Sequence, residues 1–264
     1  MDFPERDGKN VPLVPTKQVM TNNPPDVTDL LGSDSYYGNY QVLGNLTVTI
    51  AGISNVSNYY RELDLETGVH TTNFSTRNAS FTNTVVCSYP DSVCIYTITS
   101  SSSLPAISFG LENPQVNTNL QNETCGDGYV RLTGYTQLGP PLGMKYDAIA
   151  RLATNVTGAV CSNETSGILV VPAQGKKSIG IVVGAGTDYD QTKGNAASNY
   201  SFRGVDPGEY VEGVTAAAAL KPIESLITDG ESSLRIFERS LTIFKLSLII
   251  KTSQAYLSFP YRTP

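Results

Sequence analysis

Short segments rich in β-branched and aromatic residues fill most of the sequence between residues 40 and 186, and they constrain the fold most strongly. Clusters of Gly, Pro, Asn and Ser separate them, and several alternate polar and apolar residues, as in the stretch from Asn45 to Ile50. No segment between them has the length and periodicity of a helix, which argues against repeated βαβ units. We predict an all-β, mainly antiparallel sandwich or barrel with strands within residues 40–53, 57–75, 79–90, 92–101, 106–112, 128–137, 147–156, 167–174 and 178–186.

Residues 176–190 superficially resemble a dinucleotide-binding fingerprint. An apolar strand runs into Gly184, Ala185 and Gly186, but Tyr189 stands where the fingerprint needs a third glycine. The residues that follow are polar, with Gly and Pro, and offer no helix N-terminus that could bind phosphate. We therefore predict that these glycines end a core strand and that the chain binds no cofactor.

Helical character begins only near residue 208. Residues 208–227 contain a run of good helix formers, and Pro222 is expected to interrupt or bend the helix. Residues 1–28 are rich in Pro and Asn and are expected to form an irregular lead-in. We therefore divide the chain into this lead-in, a β-domain at residues 29–222 and a linker-like helical tail at residues 223–264.

Four cysteines fit two disulfides and an oxidising compartment: Cys87, Cys94, Cys125 and Cys161. Three pairings are possible. A Pro-Asp turn pair separates two strand-like runs, and a two-residue turn there places Cys87 directly opposite Cys94. We predict this pair, which leaves Cys125 with Cys161. No Cys-x-x-Cys motif is present and the chain has one histidine, so no metal site is predicted.

Eight Asn-x-Ser/Thr sequons predict a secreted glycoprotein: Asn45, Asn55, Asn73, Asn78, Asn122, Asn155, Asn163 and Asn199. The first residues are polar and lack the apolar core of a signal peptide, so we expect the natural N-terminus to lie upstream of Met1. No segment reaches the roughly 18 apolar residues of a membrane span. The net charge of −6 is spread without a basic stripe. Neither a membrane nor a nucleic acid is therefore an expected partner.

Candidate catalytic groups occur in two places. Glu62 and Asp64 are two residues apart and would share one face of a strand, where we expect solvent exposure or pairing with Arg61. His70 is the sole candidate base, and we interpret it as structural. A second group, interpreted as a solvated loop surface, follows the last strand: Asp188, Asp190, Asp206, Glu209 and Glu212. We predict no catalytic, cofactor-binding or metal-binding residue in this chain.

Several ordered motifs together resemble the N-terminal domain of glycoside hydrolase family 95, the α-L-fucosidases, and most closely its fungal secreted members. The motifs lie at residues 37–50, 59–69, 88–99, 143–152 and 184–204, and the similarity spans about residues 27–222. It implies a β-supersandwich that precedes a linker and an (α/α)6 catalytic barrel in complete enzymes. The chain departs from the pattern because it contains no Trp, and because residues 234–264 fit the linker poorly.

The resemblance also implies where the chemistry resides. Family members are understood to invert the anomeric centre with residues of the barrel, so none of their catalytic residues can be carried onto this sequence. We expect a non-catalytic domain of a hydrolase that acts on fucosylated glycans. Two alternatives stay open: a stand-alone secreted glycan-binding protein that uses some of its 15 Tyr as stacking platforms, and a truncated gene product without independent function.

Overall fold

The computed structural model describes residues 42–113, 120–136, 142–153, 156–163 and 167–237. Twelve strands and two α-helices lie within these residues. The strands are β1 (Asn45–Ile50), β2 (Ser57–Leu63), β3 (His70–Ser75), β4 (Ser80–Ser88), β5 (Val93–Ser100), β6 (Ile107–Glu112), β7 (Gln121–Gly126), β8 (Tyr129–Tyr135), β9 (Lys145–Leu152), β10 (Val160–Asn163), β11 (Ile168–Val171) and β12 (Ser178–Thr187). The helices are α1 (Gly208–Ala219) and α2 (Ile223–Phe237). The predicted lead-in lies outside the described residues, as do residues 238–264 of the predicted tail.

The strands form two sheets, and within each sheet every pair of neighbouring strands is antiparallel. A large sheet has the order β2-β3-β4-β5-β12-β9-β8-β7, and a small sheet has the order β1-β6-β11-β10. The predicted all-β antiparallel sandwich with a short helical tail is confirmed. Two strands, β7 and β10, fall outside the predicted segments, and each lies at the edge of its sheet.

The main core lies between the two sheets. Leu46 and Phe109 of the small sheet pack in one buried cluster with Tyr96 and Ile181 of the large sheet. A second cluster covers the opposite face of the large sheet, where Val182 packs with α1 and α2. Because side chains alternate across a strand, β12 can contribute to both clusters. The described residues therefore stack as small sheet, large sheet and helical layer.

The glycines of the fingerprint-like segment end strand β12, as predicted. Their role is to admit α1: a Cβ atom on Gly184 would lie 2.6 Å from Cγ2 of Thr215, and one on Gly186 would lie 3.2 Å from Cγ2 of Val211. Thr215 is fully buried. The glycines therefore serve close packing of a helix against a strand and not phosphate binding.

Both predicted disulfides are present. Cys87 and Cys94 are opposed in the β4–β5 ladder, and the Ser92 amide donates to the Tyr89 carbonyl across the predicted turn. The second disulfide joins Cys125 of β7 to Cys161 of β10. It therefore ties the edge of the large sheet to the edge of the small sheet. The expected break between helices is also confirmed, because α1 ends at Ala219 and α2 begins just after Pro222.

Candidate functional site

The segment that connects β12 to α1 forms a structured loop, which we call the aromatic loop (residues 188–207). An isolated bridge pairs Tyr189 with Arg203. The Asp190 amide donates to the Phe202 carbonyl at 2.8 Å, and the Tyr189 and Phe202 rings stack with centroids 5.6 Å apart. Three of the seven carboxylates that the sequence offers as catalytic candidates lie in this loop: Asp188, Asp190 and Asp206.

Asp188 anchors the base of the aromatic loop. Its side chain is only 4% exposed, accepts the Lys145 amide at 2.8 Å and pairs with Nε of Arg203 at 2.9 Å. The interpretation of the acidic group as a solvated surface is therefore wrong for Asp188. It is correct for Glu209, which is exposed at the start of α1.

The other loop and helix acids have structural partners as well. Asp206 pairs with Lys145, and this contact lowers the pKa of the Asp206 carboxyl. Glu212 pairs with Arg151. Asp190 accepts the hydroxyl of its neighbour Thr192 at 2.6 Å, which lowers the pKa of Asp190. A catalytic general acid needs a raised pKa, so these contacts favour structural roles.

A buried ion pair next to the loop was not predicted from the sequence. Asp147 of β9 is completely buried, and Arg131 of β8 holds it with Nε to Oδ1 at 3.0 Å and Nη2 to Oδ2 at 2.6 Å. The pair lies under the N-terminus of α1, where a Cβ atom on Gly208 would come within 2.8 Å of Nη2 of Arg131. Because the same strand also carries Lys145 and Arg151, no sequence signal set Asp147 apart. The geometry is that of a packed structural pair.

The carboxylates of the β2 region stay on the surface. Glu62 is exposed and accepts the Tyr60 hydroxyl at 2.8 Å. Asp64 lies beyond the end of β2, where it accepts the Glu66 amide at 2.9 Å, and this bond lowers its pKa. The predicted exposure is confirmed, but the two carboxylates do not share a strand face because the strand ends between them.

His70 begins β3 and is partly buried. Its Nε2 lies 3.4 Å from Nε of Arg61. Burial, followed by the charge of Arg61, lowers the pKa of His70. Within the described residues no cluster of three or more His, Cys, Asp or Glu side chains could hold a metal ion.

The small sheet carries a shallow groove that was not predicted from the sequence. Its volume is about 130 Å³, and Glu112 and Glu123 line it. Thr47 donates to Glu112 at 2.9 Å, and burial, followed by the charge of Glu112, raises the pKa of Glu123. Binding pockets for small molecules usually measure about 300–1,000 Å³. The groove is therefore too small for a glycosidase active site.

The sequons differ in their accessibility. Asn73 is half-buried, whereas Asn45 is only 7% exposed in β1. Asn155 lies outside the described residues, and Asn163 ends β10. Among the described sequons, the exposed ones are Asn55, Asn78, Asn122 and Asn199.

No helix within the described residues has the length and apolar character that crossing a membrane requires.

Comparison with known proteins defines the family. A family model described as "Glycosyl hydrolase family 65, N-terminal domain" matches residues 13–192. The chain belongs to the glycosyl hydrolase family 65 N-terminal domain family. The expected glycoside hydrolase N-terminal domain is thereby confirmed, while the finer assignment to family 95 stays a prediction because the matching model carries the family 65 name.

Two Aspergillus proteins give the family a more specific context. The chain is 44% identical over 206 residues to the "Probable alpha-fucosidase A" of Aspergillus oryzae, and 38% identical over 213 residues to the protein of the same name from Aspergillus niger. These alignments cover 78% and 79% of the chain but only 27% and 26% of the relatives. The chain therefore spans about a quarter of the length of these proteins.

A solved structure entitled "Putative kojibiose phosphorylase from human microbiome" is also similar. It shares 12% identity and a TM-score of 0.45, over 73% of this chain and 27% of that protein. This likeness is too weak to support any statement about the chain.

Proposed function

We propose that the chain is the N-terminal, non-catalytic domain of an α-L-fucosidase-like glycoside hydrolase of the family 95 type. The observation that carries this proposal is the alignment with the A. oryzae protein, at 44% identity over only 27% of that protein. Most of the A. oryzae protein therefore lies outside the region that this chain matches. Hydrolysis of terminal α-L-fucosyl linkages belongs to the remaining part. The fucosylated glycan is then a partner of the whole enzyme, and the domain at residues 29–222 supports the catalytic part.

The chemistry of the described residues supports a non-catalytic role. A glycosidase needs two carboxyl groups that face a sugar-sized cleft, one of them with a raised pKa. Asp188, Asp206 and Glu212 are held by basic side chains. Glu112 and Glu123 face a groove of about 130 Å³. The first group is engaged in ion pairs, and the second faces a groove smaller than a sugar-sized cleft.

We further propose that the protein is secreted and carries N-linked glycans on exposed sequons. Asn55, Asn78 and Asn122 are exposed, and the two disulfides fit an oxidising compartment. A glycan on Asn45 would require the start of β1 to leave its sheet. Mass spectrometry of glycopeptides from a fungal host should find glycans on Asn55, Asn78 and Asn122 and none on Asn45, and a glycan on Asn45 would contradict the assigned register of β1.

The non-catalytic role is tested with the purified chain of 264 residues. We expect no release of fucose from 2'-fucosyllactose and no heat on titration with fucosylated xyloglucan fragments. Fucose release above the background of heat-denatured protein would show that the chain itself is catalytic. Measurable binding heat without hydrolysis would replace the proposal with the stand-alone glycan-binding function.

A further inference from the structure

The aromatic loop exposes large apolar side chains that nothing in the described residues covers. Tyr189, Tyr200, Phe202 and Val205 are 57%, 67%, 42% and 87% exposed. They lie within 17 consecutive residues, and half-exposed Tyr210 follows in the first turn of α1. Such a concentration of exposed apolar surface marks an interaction site more often than an ordinary protein surface.

The loop is built to hold these side chains in place. Its base is anchored by Asp188, whose carbonyl accepts the Gly204 amide at 2.5 Å while its buried carboxylate pairs with Arg203. At its tip, Asn199 and Tyr200 adopt left-handed backbone conformations, with φ of 50° and 57°. Local hydrogen bonds hold both residues, since the Asn199 amide donates to the Ala196 carbonyl at 3.2 Å and the Tyr200 amide donates to the Asn195 carbonyl at 2.9 Å. The loop thus fixes the Tyr200 side chain in an exposed position.

The chemistry of the loop surface favours a protein partner over a sugar. Tyr189 and Phe202 stack on each other, so one face of each ring is covered and only the other face is open to a sugar. Val205, the most exposed of the four, is aliphatic. Four of the neighbouring charges are already paired, in Lys145–Asp206 and Arg203–Asp188, so a protein surface could cover these two pairs without stranding a charge.

The position of the loop identifies the partner. The aromatic loop leads directly into α1, and α1 and α2 form the helical layer from which the chain continues beyond Phe237. The A. oryzae relative is about four times as long as the region that it shares with this chain. We propose that the aromatic loop is the surface on which the remaining, downstream part of the full-length hydrolase docks. This inference rests on the proposed function and names the contact surface that the function requires.

A chimera tests the docking surface. Residues 1–237 of this chain are joined to the part of the A. oryzae protein that follows its aligned region, with Ser201→Ala added to remove the Asn199 sequon beside Tyr200. The docking variant carries Tyr200→Asp and Val205→Asp. The control variant carries Tyr59→Asp and Leu65→Asp, which are 59% and 81% exposed at β2 and in the turn after it.

The readout is the rate at which a protease cleaves between the two parts of the chimera. We expect the docking variant to be cleaved at least about tenfold faster than the parent chimera, because two carboxylates would be buried at the interface. The control should be cleaved at the parental rate. Equal cleavage of all three would overturn the proposal, as would cleavage of the control as fast as that of the docking variant or faster. Fucose release by the parent chimera reports separately on the proposed function.

Two measurements on the 264-residue chain keep the test independent of the chimera. Thermal unfolding should be the same for the parent, docking and control chains, since both pairs of side chains are exposed. Sedimentation should show a monomer. A dimer that the docking substitutions dissociate would identify a second copy of the chain as the partner and would overturn the proposal.

Discussion

Removing the two disulfides separately should destabilise the chain to different degrees. The Cys125–Cys161 bond joins residues 36 apart and the Cys87–Cys94 bond joins residues 7 apart. Loop-closure entropy in the unfolded chain gives a contribution of about 3.8 kcal/mol for the longer loop and about 2.4 kcal/mol for the shorter one. The Cys125→Ala/Cys161→Ala variant should therefore be less stable than Cys87→Ala/Cys94→Ala by about 1.4 kcal/mol.

The structure adds a local consequence to this difference. None of the six residues of β7 is fully buried, so little apolar packing holds this strand apart from its pairing with β8 and its disulfide. The β4–β5 hairpin, by contrast, continues into the buried core through Val93 and Ile95. We expect amide protection to fall in β7 and β10 when the Cys125–Cys161 bond is lost, and to remain in β4 and β5 when the Cys87–Cys94 bond is lost.

Urea unfolding followed by circular dichroism and tyrosine fluorescence measures the stability difference, since the chain has no Trp. Hydrogen exchange measures the local effect. The parent chain with intact disulfides is the reference for both variants. If loss of the hairpin disulfide costs as much free energy as loss of the longer one, or if β7 keeps its protection, the assigned role of the Cys125–Cys161 bond is refuted.

Three further substitutions probe other parts of the structure. Arg131→Ala leaves Asp147 buried without its counterion and should cost about 3–5 kcal/mol in urea unfolding; an unchanged free energy of unfolding would contradict the burial of Asp147. Gly184→Ala should cost about 1–3 kcal/mol because its methyl group would press against buried Thr215, and an unchanged unfolding midpoint would contradict the close contact between β12 and α1. The pKa of His70 is lowered from 6.5 in the folded state, so its stabilising contribution is fully present above about pH 6.5 and is lost as the pH falls through the folded pKa. His70→Asn should flatten the fall in thermal midpoint between about pH 7 and pH 5, and an unchanged slope would show that another group controls it.

Sequence patterns predicted the buried strands well because burial on one face leaves a period of two. They missed β7 and β10 for a physical reason. Strand β7 has no fully buried residue and β10 has only four residues, so neither needs an apolar alternation. Their positions depend on pairing with β8 and β11 and on the disulfide between them. The cysteines were therefore a better guide to these edges than the pattern was.

The site was less predictable from sequence than the fold. Asp188 and Asp147 look like ordinary polar residues in the sequence, yet both are buried and paired with the distant arginines Arg203 and Arg131. Pairing of this kind depends on tertiary contacts between residues 15 and 16 positions apart. The groove beside Glu112 likewise depends on strands from both halves of the chain. Spacing along one strand cannot reveal such contacts.

The most direct test of the proposed function is whether this chain can replace the aligned quarter of the A. oryzae relative. Fucose release from 2'-fucosyllactose is compared for the complete relative, for the relative without its aligned region and for the chimera that carries residues 1–237 of this chain. The proposal predicts that deletion abolishes release and that the chimera restores it. A folded, secreted chimera as inactive as the deletion would contradict the assignment of this chain as the N-terminal domain of such an enzyme.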